Sequence, residues 1–313
     1  MSCSIVIRAY NEEKHIARLL DGISRQTLQD IQTILVDSGS TDQTIAIASG
    51  FPVQILHISP DEFSFGRSLN LGIAEARHEF VVFASAHVYP VYPDWLERLL
   101  APFADPKTGL SYGKQRGNSL TNFSEQQVFA HWFPDQSIPR QSHPFCNNAN
   151  AAIRRSLWQG HPYDETLTGL EDLAWARWLI DQGSTIAYVA EAEVIHVHNE
   201  NPGGVYNRYR REAMAFKRQF PDQRFSLADF ARLVVQNIAS DFWHAVQQKS
   251  LIKHLAEIVW FRWMQFWGTY QGYCHPGPVT QHLRRTFYYP RNFQKRVAEQ
   301  ALREVAPIDY PES

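Results

Sequence analysis

Five polar clusters in this chain hold residue types able to bind phosphate, ligate a metal or move a proton. Arg8-Ala9-Tyr10-Asn11-Glu12 and Asp37-Ser38-Gly39-Ser40-Thr41-Asp42 each close a β-branched run, and Ser85-Ala86-His87 closes a third. Glu171-Asp172 opens an amphipathic stretch, and Val194-Ile195-His196-Val197-His198 carries two imidazoles at alternate positions. A carboxylate at a strand exit, such as Asp37, can accept the N3–H of a pyrimidine. Arg8 and Tyr10, at the neighbouring exit, could pack on the base or touch the ribose. The competing role for Asp37 is to cap its own turn. An imidazole such as His87 can ligate a metal when neutral or hold a diphosphate when protonated. Paired acids at a helix start either answer the helix dipole or place a base in a pocket.

The elements around these clusters follow from periodicity. Ile5-Val6-Ile7 and Ile34-Leu35-Val36 read as buried parallel strands that open into a site at their C-terminal ends. Between them, Ile16, Leu19, Leu20 and Ile23 mark the apolar face of a helix over 12–26. Strand, helix and strand make a βαβ unit with a binding edge. Further strands are expected at 53–58, 80–84, 110–115, 150–153, 186–189 and 194–197, and helices at 45–48, 69–76, 95–103 and 171–182. From Gly117 to Pro144 no periodicity is visible, which predicts a long functional loop. Beyond Gly204 the pattern turns helical, with Ser226 and Asp229 spaced as a capping pair.

These motifs, in this order, resemble the start of a family 2 glycosyltransferase of the GT-A fold. The resemblance covers about residues 1–205. It implies an α/β, Rossmann-like, mostly parallel sheet flanked by helices, here followed by a C-terminal helical appendage at 206–313. It also implies a nucleotide-sugar site in which Asp37 meets the base and Asp172 is the general base, with Glu171 as a positioner. Ser85-Ala86-His87 stands where the family carries Asp-x-Asp, so the resemblance leaves the metal site altered. His87, with His196 as its companion from the later strand, becomes the proposed ligand set. One imidazole in place of a carboxylate moves the preference from Mg²⁺ toward Mn²⁺. The alternative keeps His87 protonated on the diphosphate, without metal. Arg67 and Asn70 match an Arg/Asn element near the nucleotide, although a solvated helix start explains them too. Arg210, with Arg208 and Arg211, could reach a diphosphate or form a solvated basic face. The asparagine-rich run 144–150 is read as a sugar contact.

At 313 residues, 44% hydrophobic and 20% charged, the chain has room for one large domain and an appendage. Cys3, Cys146 and Cys274 are an odd, scattered set, which argues against a disulfide framework and fits a reducing cytoplasm. No signal peptide is expected at the first residues, and no apolar run reaches the ~18 residues a membrane span needs. The charge is divided unevenly. Residues 1–205 hold 14 Lys/Arg against 23 Asp/Glu, while residues 206–300 hold 15 against 6. A basic second part rich in Trp, with Lys249, Lys253, Arg262, Arg284 and Arg285, suits the headgroup layer of an anionic membrane at the inner face of the cell. The competing use of its aromatic faces is packing against the first domain. Nucleic acid is excluded for want of any recognisable motif.

The expected function is transfer of a sugar, with inversion, from a nucleotide diphosphate sugar to a hydroxyl of a glycan or lipid-linked saccharide in surface polysaccharide assembly. The Gln-x-x-Arg-Trp motif of processive synthases is absent, because Arg262-Trp263 is preceded at position 259 by Val. The rival is a non-catalytic sugar-nucleotide or glycan-binding member of the same fold. Glu171-Asp172 argues against it.

Overall fold

The computed structural model describes residues 1–167, 169–198, 200–274 and 305–310. The strands are β1 (Cys3–Ala9), β2 (Ile31–Asp37), β3 (Gln54–His57), β4 (Phe80–Ser85), β5 (Val88–Pro90), β6 (Thr108–Arg116), β7 (Asn150–Arg154) and β8 (Thr185–His196). They form one sheet in the order β3-β2-β1-β4-β7-β6-β8-β5. The first four run parallel, β7 is antiparallel to both β4 and β6, and β5 is antiparallel to β8. This is the mostly parallel α/β sheet that the βαβ reading anticipates.

The helices are α1 (Ile16–Ser24), α2 (Thr44–Ala48), α3 (Phe65–Ala74), α4 (Trp95–Leu100), α5 (Phe123–Trp132), α6 (Arg155–Gly160), α7 (Glu171–Asp181), α8 (Pro202–Gln219), α9 (Leu227–Gln247) and α10 (Leu251–Cys274). Strand alternation divides the apolar side chains of β1 between two layers. Ile5 and Ile7 pack with Ile16, Leu19 and Leu96 of α1 and α4. Val6 packs on the other face with Leu69, Ile73, Trp175 and Leu179 of α3 and α7. Parallel strands buried on both faces read as continuous apolar runs, as Ile5–Ile7 of β1 and Phe80–Ala84 of β4 do.

Three expectations are corrected. The segment 117–144 contains the ten-residue helix α5. Its periodicity is hidden because Ser124 and Glu125 face inward and are buried beside Phe123 and Phe129. Polar residues occupy core positions there because partners await them, Asp241 for Ser124 and Arg208 for Glu125. The two short strands expected at 186–197 are one twelve-residue strand, β8. Its middle, Ala190-Glu191-Ala192-Glu193, has little strand propensity and falls where the pairing with β6 shifts register; Ser137, Asn150 and Val91 bond its backbone there instead. Helix α1 begins at Ile16, because residues before it form a turn that the site requires.

The C-terminal helices pack as expected of a helical appendage. Ser226 and Asp229 form a capping box on α9. Helix α10 presses directly on α8, where a Cβ on Gly268 would lie 2.4 Å from the Tyr206 carbonyl oxygen. Arg262 is not a headgroup-facing cation. It is buried, and its Nε lies 2.7 Å from Asp241 Oδ2 and its Nη2 2.9 Å from Oδ1. Leu227, the first residue of α9, is exposed despite being apolar. Arg284 and Arg285 lie outside the described residues. No described helix is long and apolar enough to cross a membrane. Residues 305–310 return to the sheet edge, where Ile308 N–H donates to Val91 and Tyr310 Oη donates to the Pro90 carbonyl at 2.6 Å.

Candidate active site

The exits of β1 and β2 are joined into one structure. Asn11 sits at φ +55°, a left-handed conformation that asparagine tolerates. From there its Oδ1 accepts Thr41 N–H at 2.8 Å, while its own N–H donates to Ser40 Oγ at 2.9 Å. Glu12 N–H donates to Thr44 Oγ1 and Glu13 N–H to Asp42 Oδ2. Asp37 is buried, and its carboxylate accepts the N–H groups of Gly39 and Ser40 at 3.1–3.3 Å. Its Oδ2 also lies 3.5 Å from His57 Nδ1. Asp37 therefore organises the turn, and Gly39 at φ +91° is the residue type that turn requires. Tyr10 projects into solvent beside it.

Three histidines converge at the next exit. His87 follows β4, His196 ends β8, and His198 lies two residues on. The His87 and His196 rings stack at 5.0 Å, and those of His196 and His198 meet at 4.1 Å. One potential ligand atom from each lies within 4.8 Å of the others. Each Nδ1 has an oxygen partner: Glu12 Oε1 at 2.6 Å for His87, Gln115 Oε1 at 2.6 Å for His196, and Glu125 Oε1 at 3.0 Å for His198. An Nδ1–H bound to oxygen leaves Nε2 with its lone pair, the tautomer a metal ligand needs. His196 Nε2 is buried with no hydrogen-bond partner among the described residues. Burial, then the charges of His198, His87 and Arg208, holds the His196 pKa well below the ordinary imidazole value. His196 is therefore neutral near pH 7. A borderline divalent ion fits this donor set.

Glu125 supports the cluster from α5. Burial alone would raise its pKa, but the Arg208 charge and the His198 and Arg208 hydrogen bonds hold it well below the carboxylate range. Arg208 grips it with both Nη atoms, at 3.0 and 2.7 Å. Arg208 is thus a buried partner of Glu125 and not part of a solvated face.

Asp172 lies at the start of α7. The turn into this helix is made by Leu170 at φ +56°, a strained conformation for a γ-branched residue. The Leu170 carbonyl is held by Gln219 Nε2 of α8 at 2.9 Å. Asp172 Oδ2 accepts Asn148 N–H at 3.3 Å, so the asparagine-rich run does reach the acidic pair. Burial, reinforced by the Glu171 charge, pushes the Asp172 pKa up to about 7. Glu171 is turned to Arg8, whose Nη1 lies 3.1 Å from Oε1. Arg8 and Arg211 flank the Phe65 ring at 4.9 and 5.0 Å, which brings α8 against the exit of β1.

The remaining candidates fall into two groups. Ser85 is at the β4 exit, in register with Arg8. Arg210 is on α8, where its Nε is buried without a partner among the described residues. Arg67 pairs with Glu62 and Glu165 at the surface. The Asn70 side chain makes four hydrogen bonds within the protein, to Tyr163 (twice), Glu165 and Trp158. That satisfies a carboxamide's usual capacity and makes Asn70 a brace for the 155–167 segment. Sequence reasoning missed the supporting roles of Glu12, Gln115 and Glu125, and ranked His198 second where the structure brings it in equally.

A cavity of about 180 Å³ joins the two chemistries. Asp172 and His196 both line it, and Phe129, Trp132, Phe145 and Glu212 contribute walls. Helices beyond residue 205 supply one side. A buried carboxyl with a raised pKa, three converging imidazoles and a mostly parallel sheet stand together in a nucleotide-sugar glycosyltransferase of the GT-A fold. The comparisons agree. Residues 4–160 match the family described as Glycosyl transferase family 2, and the chain belongs to that family. It is 28% identical over 223 residues to the O-antigen chain rhamnosyltransferase RfbN of Salmonella typhimurium, covering 67% of this chain and 70% of that one. It is 32% identical over 198 residues to the O-antigen chain rhamnosyltransferase WbaN of Salmonella anatum, covering 59% of this chain and 62% of the relative. The fold is shared with the mannosyltransferase PcManGT of Pyrobaculum calidifontis, solved with GDP-Man and Mn²⁺, at a TM-score of 0.56 and 19% identity over 87% of this chain and 84% of that one. Glucosyl-3-phosphoglycerate synthase of Mycobacterium tuberculosis, solved with Mn²⁺, UDP and glucosyl-3-phosphoglycerate, aligns at a TM-score of 0.53 and 21% identity, over 69% and 79% of the two chains.

Proposed function

We propose that this glycosyltransferase moves a deoxyhexose, rhamnose by analogy with its O-antigen relatives, from a nucleoside diphosphate sugar to a hydroxyl of a glycan or lipid-linked saccharide. The observation that carries the reading is the shared cavity of Asp172 and His196. Asp172, with its pKa near 7, accepts the proton of the acceptor hydroxyl. The freed oxygen attacks the anomeric carbon from the side opposite the diphosphate, so a single displacement inverts that centre. Arg8 and Glu171 hold the base in place, and Asn148 N–H orients its carboxylate.

His87, His196 and His198 would hold a divalent ion, Mn²⁺ in preference to Mg²⁺, which supplies positive charge to the departing diphosphate. Glu12, Gln115 and Glu125 keep the three imidazoles in the ligating tautomer. In this division, residues 1–205 serve the donor while helices α8 and α10 complete the acceptor pocket. A lipid-linked acceptor would bring the protein to the cytoplasmic face of the cell membrane. A pure binding module has no use for a carboxylate tuned to neutrality.

The test is a thermal-shift panel of nucleoside diphosphates and nucleotide sugars, each with Mn²⁺, Mg²⁺ or chelator. Hits are followed by transfer assays and proton NMR of the new anomeric centre. Stabilisation by one nucleotide sugar with Mn²⁺, and inverted product, support the reading. No shift with any nucleotide under any condition overturns it.

A further inference from the structure

The helical hairpin α9–α10 packs one face inward, through Phe230, Leu233, Ile258, Phe261 and Phe266, and leaves the opposite face apolar and open. On α9 the open positions are Val235, Trp243 and Val246, and on α10 they are Ile252, Leu255, Val259 and Trp263. Their spacing, 252, 255, 259 and 263, is a single helical stripe. Ile252, at the hairpin tip, is 96% exposed and Trp243 63%. The charges on this face have one sign. Arg232, Lys249 and Lys253 are exposed, whereas no exposed residue of α9 or α10 among the described residues is acidic. The hairpin's acids are withdrawn: Asp229 into the α9 capping box, where it also pairs with Arg232, Asp241 into Arg262, and Glu257 toward His254 and the Phe123 N–H.

The tip carries a second, independent sign. Helix α9 ends in a Schellman turn, with Lys249 N–H on the Val246 carbonyl and Ser250 N–H on that of Ala245. The left-handed position of that turn, normally glycine, is Lys249 at φ +54°. A cation thus stands where glycine would be less strained, between exposed Val246 and Ile252. Backbone strain that persists at an exposed site points to a use for the side chain.

We infer that the open face of α9–α10 docks the enzyme on an anionic phospholipid surface. Trp243, Val246, Ile252 and Leu255 enter the headgroup layer and Arg232, Lys249 and Lys253 meet the lipid phosphates. Large exposed apolar stripes edged by cations, with tryptophan at the boundary, suit that interface. This surface stands apart from the active-site cavity, so it does not depend on the proposed reaction.

The experiment is flotation of the full chain with vesicles of phosphatidylcholine alone or with phosphatidylglycerol, at low and high salt. Wild type should float with the anionic vesicles and dissociate as salt rises. Ile252→Asp should abolish flotation, and because Ile252 is almost wholly exposed its melting temperature should not change. Lys249→Gly with Lys253→Gln should lower the partition coefficient about 25-fold, at roughly fivefold per charge. Lys249→Gly alone should melt no lower than wild type, since glycine relieves the left-handed strain. Wild type that ignores anionic vesicles overturns the inference. So does a dimer that Ile252→Asp dissolves while vesicle binding persists, which would assign the face to a second copy.

Discussion

Glu12 Oε1 lies 2.6 Å from His87 Nδ1, so a carboxylate from the first strand exit orients the imidazole at the exit of β4. The contact also disfavours a carboxylate at position 87. His87→Asp would set two carboxylates side by side, and such a pair keeps one proton to unusually high pH. Its raised pKa makes the associated stability complete below about pH 4 and lost as pH rises. Thermal melts between pH 5 and 8 should show His87→Asp losing stability relative to wild type as pH rises. Adding Glu12→Gln should remove the slope.

Asp172→Asn should lower the turnover rate by about 10²–10⁴ while leaving nucleotide affinity nearly unchanged. With its pKa pushed up to about 7, wild-type activity should rise as pH passes through neutrality. Stability should run the other way. The folded pKa exceeds the ordinary carboxylate value, so the protonated carboxyl favours folding at low pH and that gain is lost as pH rises through about 7. Paired rate and melting profiles against pH check both signs, and near-wild-type turnover of the variant removes Asp172 from the mechanism.

Removal of one imidazole should be felt as lost metal affinity. His196→Ala should weaken Mn²⁺ binding, followed by electron paramagnetic resonance, by at least 100-fold. Glu125→Gln, which only disturbs the orientation of His198, should cost about 10–100-fold. Chelator should inactivate wild type, with Mn²⁺ restoring more activity than Mg²⁺.

Asp37→Ala tests a carboxylate with two possible duties. Loss of the Gly39 and Ser40 hydrogen bonds should cost about 1–3 kcal/mol in urea unfolding. Nucleoside diphosphate affinity, by titration calorimetry, should also fall. Destabilisation with unchanged affinity would confine Asp37 to the turn.

The Arg262–Asp241 pair is buried, and Ser124 Oγ donates to Asp241 at 2.6 Å. Asp241→Ala strands a guanidinium and should cost about 3–5 kcal/mol by urea unfolding. Replacing both partners together, with Asp241→Leu and Arg262→Met, should cost less than the single variant.

The parallel strands and their exits were legible because they are local signals. A β-branched run ending in Asp-x-Gly-Ser-Thr-Asp announces both strand and turn, and Glu171-Asp172 marks the start of its helix within a residue. What sequence could not reveal depends on distant partners. Glu125 reads as a surface acid until Arg208 and His198, over 70 residues away, are placed against it. The helix that carries it, α5, was hidden for the same reason. His198 could have been promoted, since strand alternation already sets it on the face of His196.

The docking of residues 305–310 on the sheet edge bears on how the chain is made. Arg25 Nη1 bonds the Asp309 carbonyl and Pro90 accepts from Tyr310, across 284 and 220 residues of sequence. At a synthesis rate of about 5–20 residues per second, α1 and the β5 edge wait roughly 10–60 s on the ribosome for these partners. Once β8 has been made and has paired with β5, that edge of the sheet stands open to other nascent chains until residues 305–310 follow. Tyr310 is thus the piece that closes a folding window, and its loss should be felt first as poor yield during synthesis, before any loss of activity.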